Sequence, residues 1–477
     1  MQPVIIIGAG PSGLAAAYEL SKNSTDVVLN EQLRQVGGLA RTIRRGEARF
    51  DIGPHRFFTK SSEIFDLWSN ILQKDLLSVP RLTRIFYNNK FFYYPLSPMN
   101  AFFGVGPINS GQILISYFST LLKQRLSRSE PQNFEDWVVQ QFGRRLFEIF
   151  FKTYTEKVWG IPCTQIGADW AGQRIKGLSL WTAVVNSIFK PKQKKIKTLV
   201  DEFVFPRLGA GMFYERMAEE IESHGGKILF GKRSVGFRHE GDRVRSVVLE
   251  DDTGHREEIE GGHFIVSAPL TDGLLGFDRA PPLEIQAAAN GLRYRSHVGV
   301  DLLVEGNPFP DNWIYVHSRR VRLARIANYR NFSREMAPDD RLTPLTVEYF
   351  CFTGDDIWTM DEQGLIELAK AELQKMKILR PEQVQSGFCV HSDKAYPVIE
   401  IGYDQKVKLL RRYIEQFRNF QAIGRSGMFK YNNQDHGIMT GLLAARNVLG
   451  GNFDVWSVNI DAEYHESGEV PPLDQSH

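Results

Sequence analysis

The chain has 477 residues, which is enough for two or three domains around a large apolar core. Its 58 lysines and arginines nearly balance 56 aspartates and glutamates, so the net charge of +2 gives no reason to expect a nucleic-acid partner. Three widely spaced cysteines exclude a disulfide framework and a cysteine-rich metal site, and they predict reduced thiols in a cytoplasmic protein without bound metal.

The first predicted strand, with the sequence VIII, runs directly into a glycine turn and a predicted helix. Gly8 allows the tight turn, Gly10 lets the main chain approach a phosphate, and Gly13 lets the helix pack against the strand. Pro11 and Ser12 open the helix, whose N-terminal N–H groups and partial positive charge attract an anion. The unit predicts a site for the pyrophosphate of a dinucleotide, although this spacing alone also occurs in other α/β turns.

A second predicted strand, residues 26–30, ends at Glu31, where a carboxylate can accept hydrogen bonds from both ribose hydroxyls. A second glycine pair follows, and the whole pattern resembles the flavin form of the fingerprint (GxGxxG, then E, then GGxxxT). Glu31 would also repel the 2′-phosphate of NADP. These residues predict FAD rather than NAD or NADP, with further contacts from Gly38, Leu39, Ala40 and Arg41.

The next part of the chain combines a constrained loop with hairpin and helix patterns. Gly53 and Pro54 mark the loop, and a helix is predicted for residues 62–75. Residues 84–95 predict a hairpin that turns at an Asn-Asn pair. From 108 to 190 the pattern is mostly helical, which predicts an inserted helical region.

Two segments bear on membranes and apolar channels. The aromatic residues at 91–103 would line an apolar channel or, more simply, fill the core of the hairpin. The basic run at 190–197 is typical of a solvated loop, with peripheral membrane contact as the less favoured interpretation. No run of 18 apolar residues predicts a spanning helix, and no signal peptide is expected before the first strand.

The second half of the chain alternates strand and helix patterns. Strands are predicted at 227–230, 234–239, 243–249, 263–267, 297–305, 313–316, 345–352 and 422–424, and helices at 212–224, 361–376 and 434–449. The fold class is therefore α/β: a discontinuous Rossmann-type FAD-binding domain, an inserted mostly helical region and an antiparallel-sheet substrate domain. The FAD-binding parts are expected at 1–80, 200–275 and 391–455, the hairpin and helical region at 81–199, the sheet domain at 276–390, and a polar tail at 456–477.

Four landmarks in order give a resemblance to a known family. They are GPHRFFT from residue 53, YTEKVWG from 154, YRS from 294, and GR at 424 followed by KY at 430. With the flavin fingerprint, they resemble the amine-oxidase and protoporphyrinogen-oxidase superfamily of FAD proteins, and within it most closely UDP-galactopyranose mutase. The resemblance covers nearly the whole chain, to about residue 450.

This resemblance implies four candidate catalytic residues. His55 would lie against the flavin, or serve as a structural histidine. Trp159 would line the substrate pocket or pack in the core. Arg425 would bind an anionic substrate group or form a surface ion pair, and Tyr431 would bond a phosphate or stack on a base.

The resemblance also implies further contacts with the cofactor. Gly53 and Pro54 would lie against the flavin, and Gly424 would join Arg425 beside it. Val235 would contact the adenine through its backbone. The helix predicted from residue 434, with Asp435 as its N-cap, would point its N-terminus at the flavin ring.

The sequence departs from the mutase pattern at two diphosphate-binding positions. The mutases carry two basic residues in a mobile loop, whereas this chain has Arg174 at the first position and Leu178 at the second. A tyrosine of the mutases is replaced by Asn432. A UDP-sugar substrate is therefore in doubt.

Three functions follow from the sequence. The broad prediction is an FAD-dependent oxidoreductase that transfers hydride from a small polar or anionic substrate to the flavin. The alternative is a mutase that uses reduced flavin without net redox change and depends on substrate orientation. A non-catalytic flavin-binding protein is the least favoured. The oligomeric state has no signal in the sequence.

Overall fold

The computed structural model describes residues 2–94, 96, 98–126, 130–168, 170 and 202–459. Four features predicted from the sequence lie outside these residues: Arg174, Leu178, the basic run at 190–197 and most of the polar tail.

The described helices and strands match most of the predicted elements. The helices are α1 (Pro11–Lys22), α2 (Ser62–Leu72), α3 (Pro98–Val105), α4 (Pro107–Leu126), α5 (Phe134–Phe142), α6 (Arg144–Phe147), α7 (Thr153–Trp159), α8 (Gly211–Ser223), α9 (Leu270–Leu275), α10 (Leu283–Asn290), α11 (Asp356–Thr359), α12 (Glu362–Lys375), α13 (Tyr403–Ile414) and α14 (Gln434–Val448). The strands are β1 (Val4–Ile7), β2 (Val27–Asn30), β3 (Thr42–Arg45), β4 (Ala48–Asp51), β5 (Leu76–Pro80), β6 (Thr83–Tyr87), β7 (Lys90–Tyr93), β8 (Glu202–Pro206), β9 (Lys227–Leu229), β10 (Lys232–Glu240), β11 (Arg243–Asp251), β12 (Arg256–Glu260), β13 (His263–Val266), β14 (Tyr294–Glu305), β15 (Trp313–Val316), β16 (Arg325–Asn328), β17 (Leu342–Cys351), β18 (Val384–Pro397) and β19 (Phe420–Ala422).

A five-stranded parallel sheet carries the glycine turn. Its order is β19-β13-β1-β2-β9, so the first strand of the chain lies at the centre, between β2, which follows it directly, and β13, which comes from the middle of the sequence. Every residue of β1 is buried, which explains its uninterrupted apolar sequence. This sheet confirms the predicted Rossmann-type architecture.

Helices α1 and α14 pack closely against each other at Gly441, which has no side chain to keep them apart. An ideal Cβ on Gly441 of α14 would stand 2.1 Å from the Ser12 carbonyl oxygen, and one on Gly13 would stand 1.9 Å from the Gly8 carbonyl oxygen. The two helix backbones therefore approach more closely than any side chain would permit. This contact brings both helix N-termini to the same end of the parallel sheet.

A seven-stranded sheet forms the second layer, in the order β18-β14-β17-β16-β15-β6-β7. All its pairings are antiparallel except β15 with β6. The β6–β7 hairpin turns at Asn88 and Asn89, as predicted, and their φ angles of 49° and 58° are left-handed. The hairpin pairs into the edge of this sheet, and the domain boundaries given above remain a prediction.

The sequence predictions missed several elements. Strand β16 is too short to show a period, and β18 alternates too weakly in burial to stand out. Helices α10 and α13 were also not predicted. The strand predicted at 422–424 lies two residues earlier, at Phe420–Ala422. The three cysteines are all unpaired, as expected.

Asp301 is a buried acid in β14. It is 3% exposed and accepts a hydrogen bond from the Thr346 hydroxyl. Burial raises the pKa of Asp301 to about 8, against the opposing effect of that hydrogen bond. Between about pH 4 and about pH 8 the folded protein therefore keeps this carboxyl protonated, whereas the unfolded chain ionises it.

We expect Gly441→Ala to lower the unfolding free energy by about 1–3 kcal/mol, because the added methyl group meets a backbone carbonyl that cannot move away. Gly111→Ala in α4 is the matched control: apart from the backbone of its own helix, no atom of the described residues lies within 4 Å of its ideal Cβ. Since alanine favours helix over glycine, that variant should gain up to about 1 kcal/mol. Thermal unfolding of the two variants and the wild type tests this expectation. Equal melting temperatures for Gly441→Ala and Gly111→Ala would contradict the close packing of α14 on α1.

A second prediction concerns pH. The contribution of protonated Asp301 is complete below about pH 4 and is lost as the pH rises towards 8, because the unfolded state releases this proton first. Asp301→Asn keeps the hydrogen-bond acceptor and removes the titration. Between about pH 5 and about pH 7 the wild type should therefore lose about 2–3 kcal/mol more stability than the variant. Parallel pH dependences in denaturant unfolding would refute this.

Candidate functional site

A cavity of about 680 Å³ lies where the glycine turn faces the seven-stranded sheet. Its walls come from the turn after β1, the ends of β2 and β13, the start of α14, and part of β18. This position, at the carboxyl ends of parallel strands, is where α/β sheets bind nucleotides. Twelve residues predicted from the sequence line it: Gly8, Gly10, Pro11, Ser12, Glu31, Gly38, Leu39, Ala40, Arg41, His55, Val235 and Arg425.

Two glycines form a cradle at the first helix N-terminus. Gly10 is the N-cap of α1 and offers the helix no side chain. The atom nearest to an ideal Cβ on Gly10 is the Gly38 Cα at 3.9 Å, and a Cβ on Gly38 would lie 3.1 Å from the Gly10 Cα. Side chains at these positions would fill the cradle, and their absence leaves the N–H groups of α1 accessible to a diphosphate.

Glu31 lies at the end of β2 with both oxygens fixed. Its Oε2 accepts a hydrogen bond from the Ala9 amide at 2.7 Å, and its Oε1 accepts one from the Leu33 amide at 2.9 Å. Burial raises the pKa of Glu31, although these amides and the charge of Arg41 oppose that change. Each carboxylate oxygen has a lone pair left, so the group can still accept the two hydroxyls of a ribose.

The helix α14 brings a second N-terminus to the cavity. Asn433, Gln434 and Gly437 lie in the wall. The predicted N-cap was wrong: the cap position is Asn433, whose amide donates to His436 Nδ1 at 3.2 Å, and Asp435 lies in the first turn. The error arose because both residue types cap helices, and only backbone geometry separates them.

Val235 lies at an irregularity in β10. The pairing with β11 skips it, passing from Ser234 to Gly236. A bulge of this kind leaves backbone groups outside the ladder, which fits the expected contact with an adenine.

The other predicted residues support the wall or lie beyond it. A Cβ on Gly424 would stand 2.4 Å from Ser12 Oγ, and Gly13 packs under the turn. Gly53, with φ of +84°, precedes Pro54 and lies against the Arg325 and Glu348 side chains, 3.2 and 3.1 Å from its ideal Cβ. Trp159 and Tyr431 lie outside the lining of the cavity, in a neighbouring cluster of aromatic rings.

A row of charged and aromatic residues crosses the seven-stranded sheet. Tyr315, Arg325 and Glu348 stand opposite one another on β15, β16 and β17, so their side chains share one face. Arg325 donates two hydrogen bonds of 2.5 Å to Glu348, and His297 Nε2 lies 3.0 Å from the same carboxylate. Burial alone would raise the pKa of Glu348, but the charge and hydrogen bonds of its partners hold it at about 2.

Arg425 joins a cluster of aromatic rings beside this row. Its guanidinium lies 4.9 Å from the Tyr396 ring centre and 5.4 Å from that of Tyr431. Its Nε donates to the Asn432 carbonyl at 2.8 Å. Within the described part of the chain Arg425 forms no ion pair, so its charge is not neutralised by a carboxylate.

Two ring systems surround these arginines. Tyr396 and Tyr431 stack with centres 5.8 Å apart, and Trp159 lies 5.7 Å from Tyr431. Tyr154 packs on Tyr315 at 5.3 Å. Together they form a cluster of aromatic rings and guanidinium groups beside the cavity, which we call the arginine–tyrosine cleft: Arg325, Arg425, Tyr154, Tyr315, Tyr396 and Tyr431.

Trp159 is held in this cluster by a buried arginine. Arg295 donates to the carbonyls of Lys157 at 3.4 Å and Val158 at 3.2 Å, the last turn of α7. Its guanidinium occupies the space where a Cβ on Gly160 would fall, 2.4 Å away. The helix end and the tryptophan are therefore fixed to β14.

His55 lies between the cavity and the cleft. Burial, together with the charges of Arg425 and Arg325, lowers its pKa to about 3. Its Nδ1 lies 3.1 Å from the Gly53 carbonyl. The side chain is therefore neutral at working pH and can exchange hydrogen bonds but not supply a proton readily.

Four residues of the site were not predicted from the sequence: Arg325, Glu348, His297 and Tyr396. One signal was available: Glu348 is the only charged residue in the strand predicted at 345–352, and a charge inside an apolar strand indicates a buried ion pair. Arg325 had no such signal because β16 was not predicted.

Comparison with known proteins places these features in context. The family model for flavin containing amine oxidoreductase matches residues 11–449. A probable UDP-galactopyranose mutase of Klebsiella pneumoniae is 27% identical over 229 residues, covering 46% of this chain and 53% of that protein. The chain thus aligns with about half the length of the curated relatives it matches first.

Two solved structures share the fold over nearly their whole length. A reduced UDP-galactopyranose mutase superposes with a TM-score of 0.83 at 22% identity, covering 96% of this chain and 98% of that one. A putrescine oxidase bound to putrescine gives 0.58 at 16% identity, covering 94% and 99%. The family match and the cradle agree on the cofactor, which is FAD.

Gly10→Val tests the cradle directly. Since only Gly38 lies near the new side chain, at ordinary contact distance, we expect the protein to fold but to lose FAD by steric exclusion from the helix N-terminus. The flavin absorbance per protein should fall by at least about ten-fold while circular dichroism stays that of the wild type. Full flavin content in this variant would show that the cradle does not hold the diphosphate of FAD.

Proposed function

This chain belongs to the flavin containing amine oxidoreductase family, and we propose that within it the protein is a flavin-dependent mutase acting on a sugar linked to an anionic diphosphate. The proposal differs from the broad oxidoreductase prediction because of the charge of the cleft. FAD-dependent catalysis is common to both alternatives, and the choice between them rests on which substrate the cleft can accept.

The observation that carries this proposal is the unneutralised guanidinium of Arg425 beside stacked tyrosines. Putrescine, in the similar oxidase, is a diamine and is cationic at neutral pH. A cationic amine would be repelled by Arg425, whereas a phosphate or carboxylate would pair with it. The stacked rings add a flat apolar surface and hydroxyl groups suited to a sugar or a base.

Each residue of the cleft then has a defined task. Arg425 holds the anionic group, and the tyrosine hydroxyls of Tyr396 and Tyr431 bind sugar or phosphate oxygens. Glu348 keeps Arg325 in one position, so its charge acts without reorganisation. Neutral His55 orients groups beside the cofactor without charging the site.

When bound and reduced, FAD supplies a nucleophilic ring nitrogen to this chemistry without net electron transfer. The chain contributes orientation, because the anion and the ring surfaces fix the sugar at two points. Aromatic walls exclude water from the reacting carbon. Trp159, held by Arg295, closes the wall behind Tyr431.

An oxidase of an anionic substrate is the second candidate. Arg425 would bind the carboxylate of an α-amino acid as well as it binds a phosphate, so this residue alone does not separate the two reactions. The two reactions differ in their redox outcome. In an oxidase each substrate molecule reduces one flavin, whereas a mutase forms a product of the same mass as its substrate.

The experiment uses the purified yellow protein without oxygen. We expect UDP-galactopyranose, or another nucleotide sugar of a small panel, to isomerise only after dithionite reduction, with product of equal mass detected by liquid chromatography and mass spectrometry. Arg425→Ala should raise the apparent KM by roughly 10-fold or more, because a charge pair is lost. Arg341→Ala, an exposed arginine paired with Asp339, is the matched control and should leave it unchanged.

Two results would overturn the proposal. One is bleaching of the oxidised flavin by L-amino acids with no isomerisation of any nucleotide sugar, which would establish the oxidase. The other is an unchanged KM in Arg425→Ala with normal flavin content, which would remove the arginine from substrate binding.

A further inference from the structure

The helix α4 exposes a continuous apolar face. Ile108, Ile115, Phe118, Leu122 and Leu126 follow one another at spacings of seven, three, four and four residues, which places them on one side of the helix. Each of these side chains is between 54% and 80% exposed. We call this face the α4 stripe; at 1.5 Å per residue it is about 30 Å long.

The rest of α4 is fixed to the protein. Ser110, Ile113 and Tyr117 on the opposite face are buried. The Tyr117 backbone packs so closely on Gly143 that a Cβ there would stand 2.9 Å from its nitrogen. The Arg145 amide donates to Ser116 Oγ at 3.1 Å. The orientation of α4 is therefore fixed, and the stripe faces outwards.

The segment of the chain that contains α4 carries charge of one sign. From residue 76 to residue 129 the sequence contains no aspartate or glutamate. Lys123 and Arg125 flank the stripe in the last turn of α4, both exposed and neither in an ion pair with a described residue. An apolar helical face flanked by unpaired cations of its own helix is complementary to anionic lipid headgroups over acyl chains.

Tyrosines extend this surface towards the cleft. Tyr93 and Tyr94, at the end of β7, are 57% and 37% exposed. The Tyr93 amide donates to Asn100 in α3 at 2.9 Å, which joins the hairpin to the helices. Tyrosine is enriched where protein meets the membrane interface. The Tyr94 ring also lies 5.0 Å from Tyr315 of the arginine–tyrosine cleft.

We propose that the α4 stripe binds the surface of an anionic lipid bilayer, with α4 lying in the plane of the interface and the arginine–tyrosine cleft beside it. None of the helices that the structure describes is long and apolar enough to cross a bilayer. The apolar side chains enter the headgroup boundary, and Lys123 and Arg125 contact the lipid phosphates. This inference goes beyond the proposed reaction and does not depend on it.

The test is sedimentation of the FAD-loaded protein with phosphatidylcholine vesicles, with and without phosphatidylglycerol. We expect binding to the vesicles that contain phosphatidylglycerol, weakened by added salt. The double variant Ile115→Gln, Leu122→Gln should lose at least about ten-fold in affinity, because two apolar anchors are removed from a helix that glutamine preserves. The double variant Lys123→Gln, Arg125→Gln should lose about five-fold per charge.

The matched control replaces equally exposed apolar residues on other elements. Leu283 and Ile401 are 82% and 55% exposed, and Leu283→Gln, Ile401→Gln should bind like the wild type. Equal binding by all variants would place any membrane contact elsewhere and overturn the proposal.

Two other occupants of the stripe would also overturn it. A second copy of the chain would give a concentration-dependent dimer that Ile115→Gln, Leu122→Gln makes monomeric, with no binding to vesicles. If residues 171–201 of the same chain cover the stripe, the protein would be a monomer that binds vesicles of neither composition. Analytical ultracentrifugation of the same samples separates the two, and flavin absorbance confirms that each variant is folded and loaded.

Discussion

The close approach of main chain to main chain around the glycine turn is the constraint from which the site follows. Gly13 lets α1 sit on the turn, and Gly441 lets α14 sit on α1, so two helices begin at one cavity. Gly10 and Gly38 then leave their side-chain space to the cofactor. Both helix N-termini lend partial positive charge to that space. A methyl group at Gly13 or Gly441 would separate elements that must touch, whereas one at Gly10 would occupy the space left for the cofactor.

The seven-stranded sheet contributes a row of charged and aromatic side chains to the site. Its pairing register places Arg325 opposite Glu348 and next to Tyr315, with the charge fixed before any substrate arrives. Arg425 comes from the parallel-sheet layer, just after β19, and completes the cleft from the other side. The two layers thus meet at one site, where the parallel-sheet layer carries the dinucleotide cradle and Arg425, and the seven-stranded sheet carries the Arg325–Glu348 pair.

The sequence predicted what is local and missed what depends on pairing. Gly8, Gly10 and Glu31 were found because turn, helix and strand follow one another within about one βαβ unit, and the spacing itself carries the geometry. Arg325 and Glu348 are 23 positions apart and meet only through strand register, which no local pattern encodes. On α4, Ile113 is buried and Ile115 is exposed, and the apolar pattern alone does not say which side meets the core. The cap at Asn433 was misassigned to Asp435 for a similar reason, since only backbone angles distinguish the two.

The central position of β1 has a consequence for biosynthesis. The first strand to leave the ribosome can pair with β2 at once, but its other neighbour, β13, begins only at residue 263, and α14 begins at residue 434. Such distant pairings slow folding, because a long loop must close before its contacts form. The nascent amino-terminal half therefore carries an apolar strand with one unpaired edge until β13 emerges, and a helix α1 without its partner α14 until translation is almost complete, and such exposed apolar surface is what chaperones protect.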